Sequence, residues 1–174
     1  LAHLMKVTRA DLRLENNMPI YTIGSEKAER LPLKQEGFSN EFKLRDFFAI
    51  NLEEILGVRF LAKEYTIPDG RIDTLGIDES NTPVIIEYKW KENEEVLTQG
   101  LSYLNWLLKN KPHFNLLAKD KLGEAVEVRW EKPRVILVAQ GFSRRIKSAV
   151  QLLGNVELKS YALYEGNILQ IENE

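Results

Sequence analysis

One stretch in the middle of the chain, GRIDTLGIDESNTPVIIEYKW (residues 70–90), decides how the sequence folds. It reads as two apolar strands joined by a polar turn, the pattern of a β-hairpin. Each strand also carries charges among its apolar residues: Asp73 in the first, Glu87 and Lys89 at the end of the second. Those charges either face water or converge on a site.

Strand geometry favours convergence. Side chains alternate between the two faces of a strand, so a turn near Ser80 places Asp73 opposite Glu87 or Lys89 on one face. Two neighbouring carboxylates repel each other unless a cation lies between them. Mg²⁺ fits, because it prefers oxygen ligands, and the backbone carbonyl of Tyr88 would be an additional ligand. Lys89 would then orient or deprotonate an attacking water and stabilise charge developing on a phosphate.

A second interpretation of the hairpin stays open at this point. An exposed hairpin face often carries Asp, Glu and Lys in cross-strand pairs that contribute little to stability. The spacing of the three residues alone does not separate a site from such a decorated face.

A helix is predicted before the hairpin, from about Glu41 to Leu56. Ser39 is the predicted N-cap, and Gly57 ends the helix. Apolar residues recur at helical spacing and are expected to face the core: Leu44, Phe48, Leu52 and Ile55. The next segment, VRFLAKEYTI, is predicted to be a strand that ends at the turn PDG.

The second half of the chain predicts two helices and three strands. The first helix runs from about Asn93 to Lys109 and ends before Pro112. Its apolar stripe is predicted to be Leu97, Leu101, Leu104 and Leu108. KPRVILVAQGF follows as a buried strand, SRRIKSAVQLLG as a short helix, and VELKSYALYEGNILQIE as two strands around a Glu-Gly-Asn turn.

This order of elements predicts an α/β fold with a mixed central sheet flanked by helices. Residues 1–37 are expected to be an N-terminal extension packed on the core. Its hairpin would pair KVTRADLRL with PIYTI across the turn ENNMP, and GSEKAERLPLKQEGFS would be mostly loop. Residues 38–174 are expected to form the main domain.

Composition limits the possible functions of the chain. Its 174 residues fit one domain, and 44% apolar with 29% charged residues predict a packed core. A net charge of −2 argues against a protein that coats nucleic acid nonspecifically, but not against an enzyme with a local basic groove. The absence of Cys excludes disulfides and suits the cytoplasm. No apolar run or N-terminal segment predicts a membrane span or a signal peptide.

Three segments together resemble the PD-(D/E)XK phosphodiesterase superfamily, most of all its NucS/EndoMS-like endonuclease branch. The first is GRIDTLGID…PVIIEYKW, because that branch carries Gly-x-Ile-Asp followed by an apolar strand ending in Glu-x-Lys. The second is TQGLSYLNWL, with Gln99 and Tyr103 one helical turn apart. The third is PRVILVAQGFSRRIKSAV. The resemblance covers about residues 38–172 and implies a restriction-endonuclease-like core.

The resemblance also implies a role for each matching residue. Asp73 and Glu87 would be metal ligands and Lys89 the catalytic lysine of a DNA endonuclease that uses Mg²⁺, for which Mn²⁺ can substitute. Gln99 would contact the site from the second helix, and Glu41 would supply the acid that the family places early in the preceding helix. The last of these has its own alternative, because an acid in a first helical turn also favours the helix dipole.

DNA is the expected partner of such a site. Tyr103 and Arg71 are candidates to contact the nucleic-acid backbone beside the carboxylates. Arg144, Arg145 and Lys147 are further candidates at a helix N-terminus, although they would equally suit a solvated helix face. A homodimer is a further expectation, since nucleases of this architecture often pair to cut two strands.

The sequence also departs from the family pattern. Trp90 stands where the family usually has another basic residue, and the acids of KENEE follow it. Residues 1–37 are too few for the separate N-terminal domain of NucS-type mismatch enzymes, so mismatch specificity is not implied. A catalytically inactive nuclease-fold module, binding nucleic acid or a protein, is therefore the alternative function.

Overall fold

The fold is known from a computed structural model that describes residues 19–34, 37–90 and 93–174. Its helices and strands alternate along the chain as the α/β prediction requires. In chain order they are β1 (Tyr21–Ile23), β2 (Ala28–Arg30), α1 (Glu41–Ile50), α2 (Leu52–Leu56), β3 (Val58–Ile67), β4 (Gly70–Asp78), β5 (Pro83–Lys89), α3 (Glu95–Lys109), α4 (Lys111–Leu122), β6 (Arg134–Ala139), α5 (Arg144–Val150), β7 (Val156–Tyr164) and β8 (Ile168–Asn173).

A six-stranded mixed sheet in the order β3-β4-β5-β6-β7-β8 is the framework of the fold. The pairs β3–β4, β4–β5 and β7–β8 are antiparallel, whereas β5–β6 and β6–β7 are parallel. The antiparallel pair β4–β5 is the hairpin read from residues 70–90. The predicted α/β class with a mixed central sheet flanked by helices is confirmed.

The core consists of two apolar clusters, one on each face of this sheet. Strand β5 contributes to both, because Ile86 packs with helix α1 while Ile85 packs with helix α3. Leu44 and Phe48 of α1 are fully buried, as predicted from their spacing. Strand β5 therefore lies at the centre of the molecule, and its last residues emerge between the two helical layers.

The first predicted helix is interrupted, and its predicted N-cap is wrong by one residue. Asn40, not Ser39, is the N-cap, because its side-chain Oδ1 accepts from the Lys43 amide at 2.8 Å. Asn51 separates α1 from α2, and its side-chain amide donates to the Phe47 carbonyl at 2.8 Å. The end at Gly57 is confirmed, with a φ of 64° that favours glycine.

The second predicted helix has the right end but a different buried face. Val96, Gly100 and Leu107 are buried in α3, whereas the predicted Leu108 is exposed and Leu97 and Leu101 are half-buried. Of the predicted stripe, Leu104 is fully buried. The buried face is rotated by about one residue toward Gly100, which has no side chain and so allows α3 to lie close to the sheet.

The sequence analysis missed helix α4. Pro112 does not simply end α3: it lies in the first turn of the next helix, where a missing N–H costs nothing. Phe114 and Ala118 bury the face of α4 that packs on the sheet. The remaining elements, β6, α5, β7 and β8, agree with the predicted strand, helix and strand pair.

The N-terminal segment differs from its prediction. The predicted strand at residues 6–14 and most of the turn after it lie outside the described residues. Within the described part, β1 pairs with β2, so residues 28–30 form a strand where loop was predicted. Leu33 forms a bridge to Tyr164 of β7, which ties this segment to the sheet. The boundary at residue 37 stays a prediction.

None of the described helices is both long and apolar enough to cross a lipid bilayer.

Candidate active site

Strands β4 and β5 stop pairing through their backbones where the two acids begin. Their ladder runs from Ile77 and Pro83 to Thr74 and Ile86. Beyond that pair, side chains take over the amides of the opposite strand. The Asp73 amide donates to Glu87 Oε1 at 3.0 Å, and the Tyr88 amide donates to Asp73 Oδ2 at 3.1 Å. Each carboxylate thus holds the neighbouring strand with one of its oxygens.

The second oxygen of each carboxylate remains for another partner. Glu87 Oε2 is buried and has no hydrogen-bond partner among the residues that the structure describes. Asp73 Oδ1 lies 3.7 Å from Nη1 of Arg45 in α1. Glu87 is fully buried and Asp73 is 9% exposed, so these acids do not belong to a solvated hairpin face. The exposed-face interpretation is wrong for them.

Burial and mutual repulsion both act on the carboxylate pair. Burial, followed by the charge of Asp73, raises the pKa of Glu87 from 4.5 to about 8. Burial is also the main reason why the pKa of Asp73 is raised, while the Tyr88 amide and the charge of Lys89 oppose that rise. Both effects disfavour the charged forms of the two acids, and a cation between the carboxylates would offset the repulsion.

Lys89 and Glu41 complete the charged group. The Nζ of Lys89 lies 3.5 Å from Glu41 Oε1, and Glu41 Oε2 accepts from the Trp90 amide at 3.3 Å. Glu41 is the first residue of α1, so it reaches the end of β5 from one helical layer. The structure thus brings Glu41 and Lys89 together with the carboxylate pair, as predicted, and their chemical roles stay predictions.

Gln99 and Tyr103 form a separate contact on the other helical layer. Gln99 Nε2 donates to the Tyr103 hydroxyl at 2.9 Å, and that hydroxyl accepts from the Arg71 amide at 3.4 Å. Within the described ranges, no hydrogen bond or ion pair joins Gln99 to the carboxylates. The two side chains therefore hold the start of β4, two residues before Asp73.

Two residues of the site were missed in the sequence analysis. Arg45 is buried, and its Nη1 lies 3.3 Å from Oε1 of Glu64 in β3 as well as near Asp73. Glu64 also binds Arg71, at 2.9 Å from its Nη1. The spacing of Glu41 and Arg45, one helical turn apart, was the available signal for the arginine. Nothing in the sequence marked Glu64.

The three basic residues of α5 follow the end of strand β6, which lies beside the end of β5 at Lys89. Strand β6 ends at Ala139, which is opposite Lys89 in the parallel pair, and α5 begins five residues later. Arg145 is exposed and lies 3.5 Å from Glu94 at the start of α3, while Lys147 pairs with Glu174. Arg144 is exposed. Their contact with nucleic acid stays a prediction.

The donor set suits a small divalent cation held by few protein ligands. Asp73 Oδ1 and Glu87 Oε2 are carboxylate oxygens not used by the strand amides, and Mg²⁺ characteristically binds one or two carboxylates and keeps several waters. In the part of the chain that the structure describes, no three His, Asp or Glu side chains are arranged to hold a metal.

The fold and the acid pair followed by a lysine together define a restriction-endonuclease-like domain. Residues 40–116 match the family described as the endonuclease NucS C-terminal domain. This segment is similar to that family, and the match confirms the resemblance to the NucS/EndoMS-like branch. It includes every element that contributes to the carboxylate group, from α1 through the first part of α4.

Relatives of the chain extend the comparison. An uncharacterised protein from Haemophilus influenzae is 37% identical over 130 residues, which are 72% of this chain and 42% of that protein. A repair endonuclease from Pyrococcus abyssi is 22% identical with a TM-score of 0.49, over 70% of this chain and 46% of that one. EndoMS in complex with double-stranded DNA is 22% identical with a TM-score of 0.47, over 76% and 47%. The chain spans less than half the length of each of these three relatives.

Proposed function

We propose that this protein is a divalent-cation-dependent endonuclease that hydrolyses phosphodiester bonds in DNA. The observation that supports this best is the buried pair Asp73 and Glu87: each has one oxygen on a strand amide, the second Glu87 oxygen has no hydrogen-bond partner among the described residues, and the second Asp73 oxygen lies 3.7 Å from Arg45 Nη1. The NucS family match over residues 40–116 supports the reaction class. That the substrate is DNA is also proposed.

Mg²⁺ is the proposed cation, with Mn²⁺ as a substitute. Asp73, Glu87 and the backbone carbonyl of Tyr88 would hold it. Bound there, it would neutralise phosphate charge and lower the pKa of a coordinated water.

Lys89 carries the proposed chemistry of the chain itself. Its ammonium orients the attacking water and stabilises the negative charge that develops on the phosphate oxygens. Glu41 holds that ammonium in place through the 3.5 Å ion pair. The water oxygen loses a proton to solvent and forms a bond to phosphorus, the bond from phosphorus to the leaving sugar oxygen breaks, and that oxygen takes up a proton from solvent.

The remaining candidates would bind and position the DNA backbone. Arg71 has a side chain that is 56% exposed and held by Glu64, so it is available to a phosphate beside the carboxylates. Gln99 and Tyr103 fix the backbone of Arg71 and thereby its position. Phosphate contacts of this kind set the register of the DNA but carry no sequence information.

Cleavage of DNA is the experiment that tests the proposal. Purified protein is expected to cut double-stranded or single-stranded DNA with Mg²⁺ or Mn²⁺ and not with a chelator. Lys89→Met should lower the cleavage rate by about 10²–10⁴, the usual contribution of a positioned proton-transfer or charge-stabilising group. Lys63→Met is the matched control, because Lys63 is an exposed lysine of β3 in the same sheet. Equal rates for both variants would contradict the assignment, and an RNA substrate run in parallel tests the choice of DNA.

A non-catalytic module that binds nucleic acid or a protein is the second candidate. It is favoured by one observation: Arg45 and Lys89 already place two positive charges beside Asp73 and Glu87. Calorimetric titration with Mn²⁺ separates the candidates. A Mn²⁺ site that is lost in Glu87→Gln supports the enzyme, and no binding supports the module.

Two further features belong to the same proposal. We place the activity in the cytoplasm, and we propose that two copies pair to cut both strands. Sedimentation of the purified protein, alone and with a DNA duplex, tests the pairing: a monomer under both conditions would contradict it.

A further inference from the structure

A chain of ion pairs leads from the protein surface to the buried carboxylates. Arg71 is exposed and contacts Glu64 at 2.9 Å, Glu64 contacts Arg45 at 3.3 Å, and Arg45 lies 3.7 Å from Asp73. These residues come from three different elements, β4, β3 and α1. The chain ends on the one Asp73 oxygen that the strand amides do not use.

The burial of the Arg45 side chain is energetically unfavourable. Only 6% of its surface is exposed, and within the described ranges its buried Nε and Nη2 have no hydrogen-bond partner. A buried guanidinium with unpaired donors is unfavourable unless something specific requires its position. Its contacts are the carboxylates of Glu64 and Asp73 and the ring of Phe42, whose centroid lies 4.9 Å from its Cζ.

Glu64 shows a second unfavourable feature at the same point. Its φ of 53° lies in the left-handed region, which is uncommon for any residue other than glycine. The flanking pairs of the β3–β4 ladder are Lys63 with Thr74 and Tyr65 with Ile72. The distorted residue therefore lies at the level of Asp73 in the neighbouring strand. Such distortions persist where the surrounding contacts fix them, and they concentrate at functional sites.

We propose that Arg45 and Glu64 are positioning residues for Asp73 in the cation site. Arg45 fixes the orientation of the Asp73 carboxylate, and Glu64 fixes Arg45 while holding Arg71 at the surface. The inference rests on the proposed function, because it gives these two residues a role at the same proposed cation site. Residues that orient a metal ligand in this way typically change metal affinity or activity by about 10–100-fold when they are replaced.

Mn²⁺ affinity, measured by calorimetry on the full chain without DNA, tests the pair. Arg45→Met and Glu64→Gly are each expected to weaken Mn²⁺ binding by about 10-fold or more. Arg45→Lys keeps the charge but loses the planar fork, and is expected to lie between Arg45→Met and the wild type. Glu64→Gly guards against a folding artefact, since glycine suits the φ of 53° and removes both ion pairs.

Asp46→Asn is the matched control. Asp46 follows Arg45 in α1 and pairs with Lys63, the residue before Glu64 in β3, at 3.0 Å. If the Arg45–Glu64 pair merely joined α1 to β3, Asp46→Asn would have a comparable effect. We expect its Mn²⁺ affinity to be unchanged, and thermal unfolding of each variant to show that it is folded.

The outcomes separate this inference from the proposed function. Absence of Mn²⁺ binding in the wild type overturns both. Wild-type binding with unchanged or tighter affinity in Arg45→Met and Glu64→Gly overturns the positioning role alone. Equal weakening in Asp46→Asn also overturns it, because the effect would then follow from packing of α1 on β3.

Discussion

Replacement of Glu87 by Gln should stabilise the protein when no divalent cation is present. The Glu87 carboxyl is fully buried, and its pKa is raised to about 8 by burial and by Asp73. Gln keeps an oxygen that can accept from the Asp73 amide, as Glu87 Oε1 does at 3.0 Å. It has no charge to be desolvated or repelled.

The sign and size of the effect follow from proton linkage. The folded-state pKa of Glu87 lies above the ordinary value of 4.5, so the stability that this group contributes is fully present below about pH 4.5 and is lost progressively as pH rises through 8. At about pH 7 the folded protein still holds this proton. The unfolded chain releases it around its ordinary pKa of 4.5, which is about 2.5 pH units lower. At 1.36 kcal/mol per unit, this costs roughly 3 kcal/mol at most.

Thermal unfolding in a chelator, from about pH 5 to about pH 8, measures this cost. For a chain of this size roughly 3 kcal/mol corresponds to a Tm higher by about 6–12 °C in Glu87→Gln near pH 7. The difference should shrink toward acidic pH. Glu124→Gln is the control, because the Glu124 side chain is 90% exposed and its replacement should leave Tm unchanged. If Glu87→Gln had the Tm and the pH profile of the wild type, the claim that burial and the charge of Asp73 disfavour the Glu87 carboxylate would be refuted.

Two further predictions concern stability. Gly76→Ala should lower the unfolding free energy by about 1–3 kcal/mol in urea titration, because a Cβ there would lie 2.3 Å from Cγ1 of Val58; an unchanged midpoint would contradict so close an approach of β3 and β4. Asn40→Ala should cost about 1 kcal/mol through loss of the N-cap of α1, whereas Ser39→Ala should cost close to nothing, and the reverse order would restore Ser39 as the cap.

Sequence pattern was sufficient for the parts of the fold that depend on local periodicity. The alternation in residues 70–90 gave the hairpin, and the helical spacing of Leu44 and Phe48 gave the buried face of α1. It failed where tertiary contacts decide. The buried face of α3 is centred on Gly100, whose missing side chain allows close approach to Val135, and a pattern of leucines does not reveal this.

The candidate site was predictable to the same extent. Strand parity and the family pattern brought Asp73, Glu87 and Lys89 together, and an acid in the first turn of α1 pointed to Glu41. Only the spacing from Glu41 pointed to Arg45, and nothing pointed to Glu64, because the contact between these two residues joins separate elements, α1 and β3. Glutamate rarely adopts a left-handed backbone conformation, so the residue type at position 64 did not indicate the one observed there.

Diffraction from crystals soaked in Mn²⁺ tests the central claim most directly. The account predicts anomalous density between Asp73 and Glu87, in contact with Asp73 Oδ1 and Glu87 Oε2, and no such density in Glu87→Gln. Crystals of the wild type soaked in the same way and without density there would contradict it.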